Sequence, residues 1–249
     1  MELDLDGAVV LVTGGVRGVG LGITQAFLAA GAVVVTCARR PAEVAGASFV
    51  QCDVRDADQV SALVAGIVAR FGRLDVVVNN AGGAPFALAD KASPRFHSKV
   101  VELNLLAPLL VSQAAYEVMR TSGGSIVNVS SVSGRRPSPG TAAYGAAKAG
   151  LDSLTSSLAV EWAPEVRVNA LAVGMVRTEQ SHLHYGSEAG IEAVARTVPL
   201  GRLASPDEIG ACAVFLASPL ASYVTGATLV VHGGGEVPAF LAAADGGSS

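Results

Sequence analysis

Short β-branched runs alternate with segments of helical period along this chain, and that alternation limits the folds open to it. Ala8–Thr13, Ala32–Cys37, Ser48–Gln51, Leu74–Val78, Ser125–Ser130, Arg167–Ala172 and Thr228–Val231 read as strands. Between them, Gly18 to Ala30, Ala57–Phe71, Pro94 to about Thr121, Ala142 to Trp162 and Asp207–Ala217 read as helices. The second has Val60, Leu63, Val64, Ile67 and Val68 at helical spacing and stops at Gly72, as the first stops at Gly31. Ser205–Pro206 supplies a cap and first turn for the last, and Pro108 should disturb the ladder of the third. Strands joined through helices of this length need right-handed crossovers, which make them parallel neighbours in one sheet with helices on both faces. The expected fold is therefore α/β, with a seven-stranded parallel sheet.

No linker or repeat divides residues 1–249, and the length suits one core better than two. Gly174–Pro199, with Gly186 and Gly190 among polar residues, falls outside the alternation. It is expected to form a lid at 174–199 over the carboxyl ends of the strands, where open α/β sheets bind ligands. The tail ending Asp245-Gly-Gly-Ser-Ser is expected to fray.

Charge argues against several partners. Charged residues make up 15% of the chain, the net charge is −4, and no basic block exists to neutralise a nucleic-acid backbone. Mean hydropathy is high at +0.48. Yet apolar stretches such as Ala8 to Val12 and Ala32 to Val35 fall far short of the ~20 residues of a membrane helix. The opening MELDLDG lacks the basic segment of a secretory signal. Cys37, Cys52 and Cys212 form no CxxC pair and are odd in number, so each reads as a small buried side chain in a reducing, cytoplasmic setting.

The first strand runs into Thr13-Gly14-Gly15-Val16-Arg17-Gly18-Val19-Gly20. Glycines let such a turn bring its backbone close to a pyrophosphate, and the next helix offers free N–H groups and its positive dipole end. Gly14, Val16, Arg17, Gly18, Val19 and Gly20 thus form a candidate dinucleotide site of TGxxxGxG type, which makes the fold Rossmann-like. Dinucleotide folds commonly end the second strand on an acid that takes the ribose 2′-hydroxyl. Here Ala38, Arg39 and Arg40 stand there. Guanidinium groups bind a 2′-phosphate bidentately and Arg17 can join them, so NADP(H) is the preferred cofactor, with NAD(H) open.

From Gly7 to Gly234 the chain resembles the short-chain dehydrogenase/reductase family. The matching segments, in order, are TGGVRGVG, Cys52-Asp53-Val54, Asn79-Asn80-Ala81-Gly82, Asn104 within VELNLL, IVNVSS, YGAAK, RVNALAVG and TGATLVVHGG. The resemblance implies that Asp53 and Val54 hold the adenine, and that Asn80, Ala81 and Gly82 border the cofactor. It implies that Gly174, Val176 and Thr178 lie against the nicotinamide, with Thr178 bonding its carboxamide. It makes Ser131, thirteen residues before Tyr144, the residue that bonds the substrate oxygen. Lys148 would bond the nicotinamide ribose, and Asn104 would hold a water linked to that lysine.

Tyr144 and Lys148 lie four apart on a predicted helix and share a face. A free phenol and a free ammonium both titrate near 10, too high for acid–base work at neutral pH. An ammonium beside the phenol should lower the Tyr144 pKa and make it a proton donor to a carbonyl, or a base toward an alcohol. The expected activity is hydride transfer between NADP(H) and a carbonyl or secondary alcohol. A 3-oxoacyl-thioester reductase is a special case, and a catalytically inert dinucleotide-binding sensor or scaffold is the rival reading.

Three features depart from the family. Val173 replaces the usual Pro before Gly174, which puts the rigidity of that turn in question. His232 replaces a common Asp, and Pro41 to Ala47 is too short for the helix many members carry there. His182 and His184 read as an exposed lid pair or substrate contacts; no Cys or carboxylate cluster accompanies them, and no metal is expected. Met175, Tyr185 and Phe86 could line a substrate pocket or serve packing. His97 reads as part of a solvated helix face and Trp162 as packing. Ala142, Ala146, Ala149, Ser153 and Ser157 form a small-residue helix face suited to a second subunit, so a homo-oligomer, dimer or tetramer, is expected.

Overall fold

A computed structural model describes Leu3 and residues 5–239. The expected architecture is present. Seven strands, β1 (Val9–Thr13), β2 (Val33–Ala38), β3 (Ser48–Gln51), β4 (Val76–Asn79), β5 (Gly124–Ser131), β6 (Val166–Val173) and β7 (Thr228–Val231), form one sheet in the order β3-β2-β1-β4-β5-β6-β7. Every pairing is parallel. The order reverses between β1 and β4, which opens the crevice where a Rossmann fold binds its ligand.

Alternation along β1 shows why both faces must be covered. Val9 and Leu11 join one core with α2 (Ala57–Phe71), α4 (Ala107–Met119) and α5 (Ala142–Glu161). Val10 and Val12 join the other with α1 (Gly18–Ala29) and α8 (Pro206–Ala217). Helix ends follow local chemistry. Asp56 accepts bonds from the N–H groups of Asp58 and Gln59 to start α2, and Gly72 ends it in the left-handed region. Ser205 and Glu208 form a reciprocal capping box at the start of α8.

The long helix expected from Pro94 is broken. α3 (Pro94–Val101) passes into a wider π-helical turn, Glu102–Leu106, before α4 begins. Pro108 has no N–H to give the Asn104 carbonyl four residues back, and the Ala107 N–H reaches five residues back to Glu102. β5 and β6 each extend one residue beyond expectation at both ends. Their last residues are locked in a row, Ser131 beside Val173 and Val173 beside Val231. The Gly174 N–H then donates to Val231 at 2.9 Å, so the turn is held without a proline. No helix occupies residues 41–47.

The lid holds two short helices, α6 (Ser181–Tyr185) and α7 (Glu188–Ala195). It has a core of its own: Ile191, Val198 and Leu203, with Met175, Tyr185 and Val194 packed on them. Met175 and Tyr185 are therefore packing residues. Backbone bonds Arg177 to Ala204 (2.8 Å) and Ala204 to Met175 (3.0 Å) close its base. The tail expected to fray lies outside the described residues. Among those described, no helix is long and apolar enough to cross a membrane.

Candidate active site

The glycine turn is fastened to the neighbouring loop. Thr13 Oγ1 accepts the N–H groups of Asn80 and Ala81, each at 3.0 Å, and Asn80 Nδ2 donates to the carbonyls of Thr13 (3.0 Å) and Gly14 (3.2 Å). A Cβ on Gly20 would stand 2.2 Å from the Gly14 carbonyl oxygen, so only glycine fits there. Arg17 caps α1 without a side-chain bond, and the first turn has no acid, which leaves its N–H groups facing the cleft.

That cleft has a volume of about 880 Å³. Its walls include Gly14, Val16, Arg17, Gly18, Val19, Gly20, Arg39, Asp53, Val54, Asn80, Ala81, Gly82 and Thr178, all expected from the sequence. Cys37, Cys52, Leu103, Glu179 and Gln180 join them without having been singled out for this role. Cys37 and Cys52 are buried, as expected, but at the strand ends that form the cleft floor, while Cys212 is only half-buried. Glu179 and Gln180 directly follow Thr178, the only hint the sequence offered for them. Arg55 grips the Asp53 carboxylate with two bonds (2.9 and 2.6 Å) and holds its pKa below the usual range. Arg17, Arg39 and Arg40 make no such ion pair among the described residues. The bare backbone turn, the open helix end and three free guanidinium groups fit a phosphate-rich dinucleotide.

A second cleft, about 300 Å³, shares Val19, Asn80, Gly82 and Thr178 with the first. Asn104, Ser131, Tyr144 and Lys148 meet here, beside Gly174 and Val176. Ser131 ends β5 and accepts the Ser133 N–H at 3.2 Å, while Ser130, on the opposite face, donates to the Lys148 carbonyl at 3.3 Å. Tyr144 occupies the first turn of α5 and Lys148 the next. Lys148 Nζ donates to the Val129 carbonyl at 2.7 Å and lies over the Tyr144 ring, 5.7 Å from its centre.

The charge balance differs from expectation. Burial pushes the Tyr144 phenol above its ordinary pKa, and the Ser131 hydroxyl opposes that shift. Burial also lowers Lys148 to about 8, opposed by the Asp152 carboxylate one turn further on. In the chain alone, desolvation raises the phenol and the Ser131 hydroxyl acts against it, in place of the lowering expected from the ammonium.

Asn104 is pinned. Its Nδ2 donates to the carbonyls of Gly83 (3.0 Å) and Val100 (2.9 Å), and its Oδ1 accepts the Gly83 N–H at 3.1 Å. A Cβ on Gly82 would lie 2.7 Å from that Oδ1, so glycine keeps this contact possible. With the amide occupied, the group left to hold a water is the Asn104 backbone carbonyl, to which Pro108 offers no N–H.

The two lid histidines part company. His184 lines the smaller cleft; His182 lines an outer hollow with Arg177 and Glu188. Phe86 is exposed and packs on Gly140, outside the smaller cleft. His97 is half-buried and edge-on to Phe96 at 5.6 Å, and Trp162 stacks on Tyr116 at 4.5 Å. Among the described residues no cluster of three or more His, Cys, Asp or Glu could hold a metal.

Residues 14–236 match a family model described as enoyl-(acyl carrier protein) reductase. The chain is 39% identical to L-fucose dehydrogenase of Oryctolagus cuniculus, over 93% of this chain and 86% of the relative. It is 36% identical to galactitol 2-dehydrogenase of Agrobacterium fabrum, over 92% and 98%. The structure of the aldohexose dehydrogenase of Thermoplasma acidophilum superposes with a TM-score of 0.90 at 32% identity, covering 94% and 96%. The fold, the end-to-end relatives and the matched model agree: the chain belongs to the short-chain dehydrogenase/reductase family of nicotinamide-dependent oxidoreductases.

Proposed function

We propose that the chain oxidises a secondary alcohol of a sugar or polyol to the carbonyl with NADP⁺, and runs the reverse with NADPH, using Tyr144 as base and acid. The observation that carries this is the meeting of Ser131, Tyr144, Lys148 and Asn104 on a small cleft open to the larger one. The relatives' named substrates, fucose, galactitol and aldohexoses, supply the substrate class.

The larger cleft would hold the dinucleotide: the α1 end its pyrophosphate, Asp53 and Val54 its adenine, and Arg39 and Arg17 its 2′-phosphate. The nicotinamide, when bound, supplies the hydride acceptor or donor. Thr178 bonds its carboxamide and Lys148 its ribose. Ser131 holds the substrate oxygen, and Tyr144 takes the hydroxyl proton in oxidation or returns it in reduction. Lys148 keeps positive charge beneath the phenol, and the Asn104 carbonyl holds a water behind the lysine.

The test is oxidation of galactitol, L-fucose and an aldohexose with NADP⁺ or NAD⁺, by the wild type and Tyr144→Phe. Wild-type turnover favouring NADP⁺ is expected. Tyr144→Phe should lose about 100-fold or more in kcat while binding dinucleotide normally. Unchanged turnover removes the role of Tyr144, and an NAD⁺ preference removes that of Arg17 and Arg39. The matched family model's description favours a second reading, an acyl-thioester substrate. Reduction of an enoyl or 3-oxoacyl thioester without polyol oxidation would select it. Dinucleotide binding with no turnover at all would select the inert sensor.

A further inference from the structure

Most polar side chains of the smaller cleft are already engaged within the chain. Ser130 donates to the Lys148 carbonyl, and the Asn80 amide to the carbonyls of Thr13 and Gly14. Asn104 is closed on Gly83 and Val100, and Lys148 donates to Val129. Thr178 Oγ1 accepts the Gln180 N–H at 3.3 Å and faces both clefts. The wall between these groups is apolar: Val19, Val129, Val173 and Val176. Ser131 and Tyr144 serve one substrate oxygen. His184 remains: it lines the cleft from the exposed lid, where its imidazole bonds to no group of the chain among the described residues and is open to solvent and to ligand.

Substrate chemistry gives a polar group at this position a use. An alcohol with one oxygen is fully served by Ser131 and Tyr144. A sugar or polyol brings a second hydroxyl into the same valine-lined space and must strip it of water. An unpaired buried hydroxyl costs roughly 1–3 kcal/mol, so it needs a partner. A neutral imidazole carries one donor and one acceptor nitrogen and can meet a hydroxyl in either orientation.

We propose that His184 is a specificity-determining residue that bonds a second hydroxyl of a polyhydroxy substrate, near the carbon being oxidised. This rests on the proposed oxidation of sugars or polyols. It also separates two histidines that the sequence presents as a pair, because His182 lies in the outer hollow.

The experiment compares kcat/KM for galactitol and for cyclohexanol, which has one hydroxyl, in the wild type, His184→Leu, His184→Gln and His182→Ala. His184→Leu should lower the galactitol-to-cyclohexanol ratio by about tenfold or more. His184→Gln, which keeps a donor and an acceptor, should recover most of it, and His182→Ala should match the wild type. Equal loss on both alcohols would give His184 a structural role and overturn the proposal. So would a ratio that His184→Leu leaves unchanged, given a wild type that oxidises galactitol; a wild type that oxidises cyclohexanol alone overturns the polyol reading as well.

Discussion

Lys148 is 4% exposed at the base of the smaller cleft, where burial holds its pKa near 8. An unfolded lysine titrates near 10.4. Below pH 8 both states hold the proton and the fold carries the whole cost of the buried charge. Between 8 and 10.4 the folded protein has lost a proton that the unfolded chain keeps, so stability rises with pH. The penalty at neutral pH is on the order of 3 kcal/mol. Urea unfolding from pH 7 to 10 should therefore show the wild type gaining on Lys148→Met by about 1.4 kcal/mol per pH unit above pH 8. A constant difference across that range would show that Lys148 is not desolvated in solution. At this scale helical spacing placed Tyr144 and Lys148 on one face, while the roles proposed for them and for Ser131, thirteen residues before Tyr144, were legible only through resemblance to a family motif. The sequence hid the balance of charge, since burial of the phenol and ammonium depends on what packs over α5. It left the roles of His182 and His184 unresolved because a lid residue's direction depends on tertiary packing.

Two contacts between elements show what local pattern can and cannot reveal. Pro108 announced a disturbed helix, but the form of the disturbance, a π-helical turn that presents Asn104, depends on bonds to Gly83 far away in sequence. The contact between α1 and α8 gave no local sign. A Cβ on Gly22 would stand 2.4 Å from the Pro206 carbonyl carbon, and one on Gly210 would stand 2.7 Å from the Gly22 carbonyl oxygen. Gly22→Ala is thus expected to cost about 1–3 kcal/mol by overpacking. Gly66, exposed on α2 with nothing within 4 Å of an added Cβ, supplies the contrast. Gly66→Ala should gain about 0.5–1 kcal/mol from helix propensity. Thermal unfolding of the two variants should move Tm in opposite directions; equal shifts would refute the tight α1–α8 contact. Element types were legible from period and glycine stops, but their ends were not, since partners such as Val231 decide where a strand like β6 stops.

Across the whole molecule, seven parallel strands and a covered sheet followed from the alternation alone. Association did not follow so directly, although the small-residue face proposed for it is exposed: Ala142, Ala146, Ala149, Ser153 and Ser157 all lie on the open side of α5. Val160, 81% exposed, extends that face. We expect a dimer or tetramer by light scattering, and Val160→Arg should shift its mass toward the monomer while leaving the far-UV circular dichroism of the folded chain unchanged, since this side chain supports no core. A monomeric wild type would remove this face as an interface. The contact of Gly22 with Pro206 also has a meaning for synthesis. The glycine turn is made well before residues 206–217, yet the helix that follows it, α1, rests on them. Such long-range closure delays completion. Until residues 206–217 have emerged from the ribosome, α1 lacks that support, and the dinucleotide site proposed for the glycine turn is unfinished.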